Sequence, residues 1–216
     1  MSKTRIVIVD YGMGNIRSVQ GAFRRLDCDI SLMQSTKDIE DCDALILPGV
    51  GAFGEAMSNL SKLNLVDPLK RSVEGGKPIL GICLGMQLLA DSSEERGNYS
   101  GLSLIPGVVR RIQVPKTLRL PHVGWNSVSI AKPDPLFATT KNGDSFYFVH
   151  SFEFKCAPEH VAATTDYGGV VVAAVQRDHV FGVQFHPERS QAAGLRLLEE
   201  FVNYAQGSNL GNKAAC

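Results

Sequence analysis

The sequence lacks any C-x-x-C pair and any recognisable metal-ligand spacing, so neither a metal nor a cofactor is expected. Its five cysteines, Cys28, Cys42, Cys83, Cys156 and Cys216, are odd in number and fit the free thiols of a reducing cytosol rather than a disulfide framework. An excess of one charge is missing too. The 22 Lys and Arg balance the 22 Asp and Glu, so neither nucleic acid nor an anionic membrane surface is expected as a partner. No apolar run approaches membrane-spanning length, and the first one, Arg5 to Val9, is too short for the core of a signal peptide. Internal repeats and low-complexity segments are also absent. What is present is 216 residues of 44% hydrophobic content, enough for the core of one medium α/β domain in the cytoplasm. That domain is expected over residues 1–206, with 207–216 a disordered C-terminal tail.

Arg5 to Val9 is a compact apolar run of the kind buried on both faces of a sheet. After the loop Tyr11 to Asn15, apolar residues recur at Ile16, Val19, Phe23 and Leu26, one face of a helix. Ile30 to Met33 and Ala44 to Leu47 read as two further strands, the second closing on Pro48-Gly-Val-Gly51. A strand running into a Gly-rich loop at its carboxyl end is where open α/β sheets place ligands. Asp67-Pro68 reads as an N-cap and first-turn pair, with Leu69 and Val73 on one face and Gly75-Gly76 as the stop. Ile79 to Ile82 is then a short buried strand and Leu84 to Leu89 a helix. Asp91 to Gly101 is polar and reads as a surface loop.

Downstream the helical signals thin out. Val108 to Val114, Val123 to Ile130, Ser145 to Val149, His160 to Thr165, Val170 to Gln176 and Val180 to Phe185 read as short strands. The final helix shows a 3.6-residue period at Leu195, Leu198, Val202 and Ala205, widened by Leu197 and Phe201. The fold class that follows is α/β: one open, mostly parallel sheet flanked by helices, with antiparallel strands added to it.

Cys83 falls at the joint of strand and helix in Gly81-Ile-Cys-Leu-Gly85, a G-x-C-x-G elbow. A side chain on so sharp a turn projects clear of the sheet, and flanking glycines let backbone and substrate approach closely. The helix start offers N–H groups that favour a thiolate and can receive an oxyanion. A second group lies in Gln184-Phe-His-Pro-Glu188. His186 and Glu188, two apart in extended chain, would share a side, so that His186 takes the Cys83 proton and Glu188 holds the other ring nitrogen. The order nucleophile, histidine, acid differs from that of an α/β-hydrolase. His122, His160 and His179 fit no partner pattern and read as structural or exposed.

These two motifs resemble those of the class I glutamine amidotransferases. With Pro48-Gly-Val-Gly51, Pro121-His-Val-Gly-Trp-Asn126 and Tyr147-Phe-Val-His-Ser151, the likeness narrows to the glutaminase subunits of imidazole glycerol phosphate synthases. The resemblance implies L-glutamine as substrate, Cys83 as nucleophile, His186 as acid and base, and Glu188 as its orienter. It implies an oxyanion hole from the Leu84 N–H and the Val50-Gly51 loop. Gln87, Glu95, His150, Ser151 and Phe152 match positions beside the bound glutamine, Glu95 as partner of its α-ammonium. Phe152 stands where the family usually has tyrosine, so only its backbone can supply a contact there.

The same resemblance implies a heterodimer with a TIM-barrel cyclase subunit, with Asn15, Trp125, Asn126 and Arg189 at the contact. The cyclase would use the ammonia to form imidazole glycerol phosphate and AICAR in L-histidine biosynthesis. Two other readings share the same pocket motifs: a paralogue feeding ammonia to another synthase, such as one modifying a surface sugar, and a stand-alone cysteine hydrolase of γ-glutamyl bonds. A regulatory domain derived from the fold would not keep Cys83, His186 and Glu188 together.

Overall fold

The computed structural model describes residues 3–133 and 135–214, with side chains as far as residue 208. Its first half alternates strand and helix: β1 (Arg5–Ile8), α1 (Ile16–Phe23), β2 (Asp29–Leu32), α2 (Thr36–Asp41) and β3 (Ala44–Gly49). Then come α3 (Phe53–Lys62), α4 (Val66–Glu74), β4 (Ile79–Cys83) and α5 (Leu84–Leu88). The second half is mostly strand: β5 (Ser92–Ser93), β6 (Tyr99–Ser100), β7 (Val108–Arg111), β8 (His122–Ser127), β9 (Ser129–Ile130), β10 (Ser145–His150) and β11 (Phe152–Lys155). It closes with β12 (Val161–Asp166), β13 (Val170–Arg177), β14 (Val180–Val183) and α6 (Gln191–Ala214).

Eight strands form the central sheet in the order β2-β1-β3-β4-β14-β13-β12-β9. The five from β2 to β14 run parallel, and β13, β12 and β9 are antiparallel. Every residue of β3, β4 and β14 is buried, because helices cover both faces of the sheet. Alternation along β1 splits the core accordingly. Ile6 and Ile8 join Phe23 of α1 and Phe201 of α6 on one face, while Val7 joins Phe53 of α3 and Leu69 of α4 on the other. Each large apolar side chain buried in this way contributes about 1.5–3 kcal/mol.

Several local expectations are corrected. Helix α4 starts at Val66 with Leu65 as N-cap, so Asp67 lies in the first turn, where it meets the helix dipole without capping. Pro68 is tolerated there because a first-turn N–H has no intrahelical partner to lose. The stretch 91–101 is not wholly loop, since β5 and β6 pair backbone to backbone and need no apolar side chains. The later strands do not all extend the central sheet: β8 and β10 form a separate ladder, and β5, β6, β7 and β11 form another. The expected tail at 207–216 falls partly on α6, whose bounds reach Ala214, and partly on residues 215–216, which lie outside the described residues, as does Cys216. Among the described residues no helix is long and apolar enough to cross a membrane.

Candidate active site

Strand β4 ends on Cys83 at φ 57°, ψ −111°, a conformation that costs a non-glycine residue about 1–3 kcal/mol. Glycines make the elbow possible. A Cβ on Gly81 would stand 2.6 Å from the Gly85 carbonyl oxygen, and a Cβ on Gly85 would run into the carbonyl of Leu47 on β3. The elbow is therefore packed backbone to backbone against its neighbouring strand, and Cys83 itself is 7% exposed.

The β13–β14 hairpin returns the chain beside β4, with Val183 level with Ile82. This register brings the segment after β14 to the elbow. His186 and Glu188 do not meet through extended chain as expected; Pro187–Arg189 is a 3-10 turn with His186 as its N-cap, and the turn carries the carboxylate back under the ring. His186 Nδ1 donates to Glu188 Oε1 at 2.9 Å, with the Glu188 side chain 1% exposed. The turn is held from β10, where the His186 N–H donates to the Tyr147 carbonyl at 2.8 Å and Ser190 Oγ accepts from the Tyr147 N–H at 3.0 Å.

Burial opposes a charge on His186, but its hydrogen bonds to Cys83 and Glu188, and their negative charges, outweigh that and push the imidazole up to about 10. A ring in this state keeps its proton through neutrality. Removing the sulfur deletes two of the causes that raise it, so the imidazole resonances of His186 in Cys83→Ala are expected to titrate at clearly lower pH than in the unsubstituted protein. Equal titration in the two proteins would mean that the ring does not face the thiol.

The elbow opens into a cavity of about 460 Å³. Leu84, Val50 and Gly51 line it beside Cys83. The loop carrying Val50 is anchored just before it by Tyr11, whose hydroxyl donates to the Pro48 carbonyl at 2.8 Å. Burial, then the charge of Cys83, push the Tyr11 phenol above its usual range, so it stays a neutral donor. Gln87, Glu95, His150, Ser151 and Phe152 all border the cavity. Gln87 Nε2 donates to the Phe152 carbonyl at 3.2 Å and to Gln184 Oε1 at 2.9 Å, which leaves its own oxygen as the free polar atom. Glu95 Oε2 accepts from the Phe53 N–H at 2.7 Å and so also serves the start of α3.

The residues expected at a partner contact divide. Asn15 and Arg189 line the cavity, and the Arg189 guanidinium lies 4.3 Å from the centre of the Tyr147 ring. Trp125 is 49% exposed and meets Tyr147 edge-on at 6.1 Å. Asn126 instead turns its amide inward, to His122 and to the Asp166 carbonyl. Sequence reasoning assigned nothing to Gln184, which is fully buried with Nε2 3.8 Å from Cys83 Sγ, although it stands inside the Gln184–Glu188 motif. It also missed Arg96 and Arg111 at the cavity wall. Of the histidines without an expected partner, His179 lies 2.6 Å from the Val73 carbonyl, and His122 is buried against His150. Cys28, Cys42, Cys83 and Cys156 are free thiols.

Residues 7–204 match the family described as Glutamine amidotransferase class-I. Among curated relatives, the chain is 47% identical over 204 residues to the imidazole glycerol phosphate synthase subunit HisH of Syntrophotalea carbinolica, covering 91% of this chain and 98% of that protein. It is 45% identical over 204 residues to the protein of the same name from Aquifex aeolicus, covering 94% and 98%. Among solved structures it resembles PurLQS of Thermotoga maritima, with a TM-score of 0.73 at 20% identity over 94% of this chain and 99% of that one. A glutamine amidotransferase, also from Thermotoga maritima, gives a TM-score of 0.62 at 17% identity, covering 99% of this chain and 86% of that one. These last two likenesses bear on the fold alone. With a family match across most of its length, and relatives above 40% identity that are nearly as long as itself, the chain belongs to the class I glutamine amidotransferases.

Proposed function

We propose that the chain is the glutaminase subunit of an imidazole glycerol phosphate synthase, working in the cytoplasm and handing ammonia to a cyclase subunit in L-histidine biosynthesis. The observation that carries this reading is the near full-length similarity to HisH subunits. Cys83 attacks the side-chain carboxamide carbon of L-glutamine, and the oxyanion is received by the Leu84 N–H and a backbone N–H of the Val50-Gly51 loop. Each such donor is worth about 3 kcal/mol. His186 gives its proton to the departing ammonia, leaving a γ-glutamyl thioester on Cys83. It then takes a proton from water, whose oxygen attacks the thioester carbonyl; the sulfur leaves as thiolate, glutamate is released, and the pair of Cys83 thiolate and protonated His186 is restored. Glu188 holds the ring in the orientation both steps need.

The free Gln87 oxygen and the Glu95 carboxylate suit the α-ammonium end of the substrate, with His150, Ser151 and the Phe152 backbone forming the wall beside it. Ammonia released into water near neutral pH is protonated and lost, so the cavity must be closed by the protein that uses it. A TIM-barrel cyclase set over Trp125, Asn15, Asn126 and Arg189 would do this, with aromatic and arginine anchors typical of interfaces. The charge balance gives no basis for nucleic acid or an anionic membrane surface as an alternative partner.

The test is glutamate release by the chain alone, with the cyclase subunit, and with the cyclase bound to its own ligand. Weak basal turnover that rises at each step is expected. Failure of the cyclase to bind or to accept ammonia would favour a paralogue serving another synthase, and full turnover without a partner would favour a stand-alone γ-glutamyl hydrolase.

A further inference from the structure

Two buried histidines lie outside the Cys83 chemistry. His122 and His150, 3% and 6% exposed, end the β8–β10 ladder opposite each other, with His122 Nδ1 3.0 Å from His150 Nε2. The direction of this bond is set at its far end. His150 Nδ1 lies 2.9 Å from the Phe152 carbonyl, which can only accept, so Nδ1 carries the proton and Nε2 is bare. His122 must then donate from Nδ1 and accept at Nε2, where Asn126 Nδ2 stands at 3.3 Å. The same Asn126 nitrogen donates to the Asp166 carbonyl at 2.7 Å.

Burial lowers both rings to about 4, and for His150 the positive charge of His186 acts the same way. Neutral rings are what a one-way chain of donors requires, since a proton on His122 Nε2 would face the Asn126 donor. His122 is clamped between Phe148 and Tyr167, with ring centres 4.8 and 4.0 Å away. From the Phe152 carbonyl the path continues through Gln87 and Gln184 to the Cys83 sulfur. At its other end is a strand whose outward residues, Val123 and Trp125, are 55% and 49% exposed.

We infer that His122 is a positioning residue that transmits the seating of β8 to the glutamine pocket through His150 and the Phe152 carbonyl. The inference rests on the glutaminase reading above. A partner pressing on Val123 and Trp125 acts on the strand that carries His122, and a small displacement there re-aims Gln87 and Gln184 beside the thiol.

Two variants and one measurement on the unsubstituted chain test it. His122→Phe keeps a stacking ring but cannot donate, and His122→Asn keeps an amide donor near the Nδ1 position. Stimulation of glutaminase by the cyclase subunit is expected to fall about tenfold in His122→Phe, within the range of measured coupling between sites, and to return in His122→Asn. Nitrogen-15 NMR of the unsubstituted chain is expected to show His150 as the Nδ1–H tautomer, unprotonated above pH 5. In His122→Phe its freed Nε2 should titrate at higher pH. Wild-type stimulation in His122→Phe, or a His150 proton on Nε2 in the unsubstituted chain, would overturn the inference. If His122→Phe does not fold, the tautomer of the unsubstituted chain decides. If the unsubstituted chain is not stimulated by a cyclase at all, it is the proposed function that fails, and the tautomer result still reports on the relay.

Discussion

Glutamine hydrolysis by the Cys83→Ala protein is expected to drop by at least about 10,000-fold, while the assembled synthase still makes product from added ammonium salts. The reason is specific to the sulfur. Alanine leaves no atom to form the thioester, yet the oxyanion donors, His186 and the cavity wall all remain, so the residual rate measures what positioning alone achieves. The fold should tolerate the change. Alanine bears the positive φ of the elbow no worse than cysteine does, and the sulfur's contacts to the Val149 carbonyl and from Gln184 are long, at 3.9 and 3.8 Å. Glutamate release and ammonia-supported synthesis should therefore be measured side by side. Loss of both would point to failed assembly, and retention of glutamine hydrolysis above about 1% of the normal rate would remove Cys83 from the nucleophile's role.

The second large effect is on stability, from Gly85→Ala. The added methyl would overlap the Leu47 carbonyl oxygen, a backbone atom of a strand in which every residue is buried and which is paired on both sides, by β1 and β4. Neither partner can give way without breaking ladder bonds or flattening the elbow. A loss of about 3 kcal/mol or more is expected, read as a lowered urea midpoint at unchanged slope. Gly21, exposed on α1 with nothing within 4 Å of its Cβ position, is the internal control. There the same substitution should stabilise by about 0.4–1 kcal/mol. If Gly85→Ala unfolds within about 1 kcal/mol of the unsubstituted protein, the close approach of elbow and strand is wrong.

The limits of sequence reading follow the distance over which each feature is built. Helix α1 was legible because its apolar positions repeat within one short segment. Helix α3 was not: its N-cap, Ala52, carries no capping side chain, and the carboxylate that receives its first N–H comes from Glu95, 42 residues on. Helix α2 was overlooked although a local signal existed, Ser35 followed three residues later by Asp38, whose carboxylate accepts the Ser35 N–H at 2.8 Å. The pairing of His186 with Glu188 was anticipated, but its geometry was not, because proline at position 187 is compatible with both an extended chain and a 3-10 turn.

By itself the sequence determined the elbow, its glycines and the chemistry of Cys83, His186 and Glu188, because these are properties of residue type and of spacings a few positions long. Only the tertiary structure decided that β14 would lie against β4 and bring an imidazole to a thiol about a hundred residues earlier, for strand order is settled by packing across the whole sheet. It likewise decided the direction of the bonds from Asn126 through His122 to Phe152, since the proton position on each ring is dictated by a carbonyl that folding places at the end of the line.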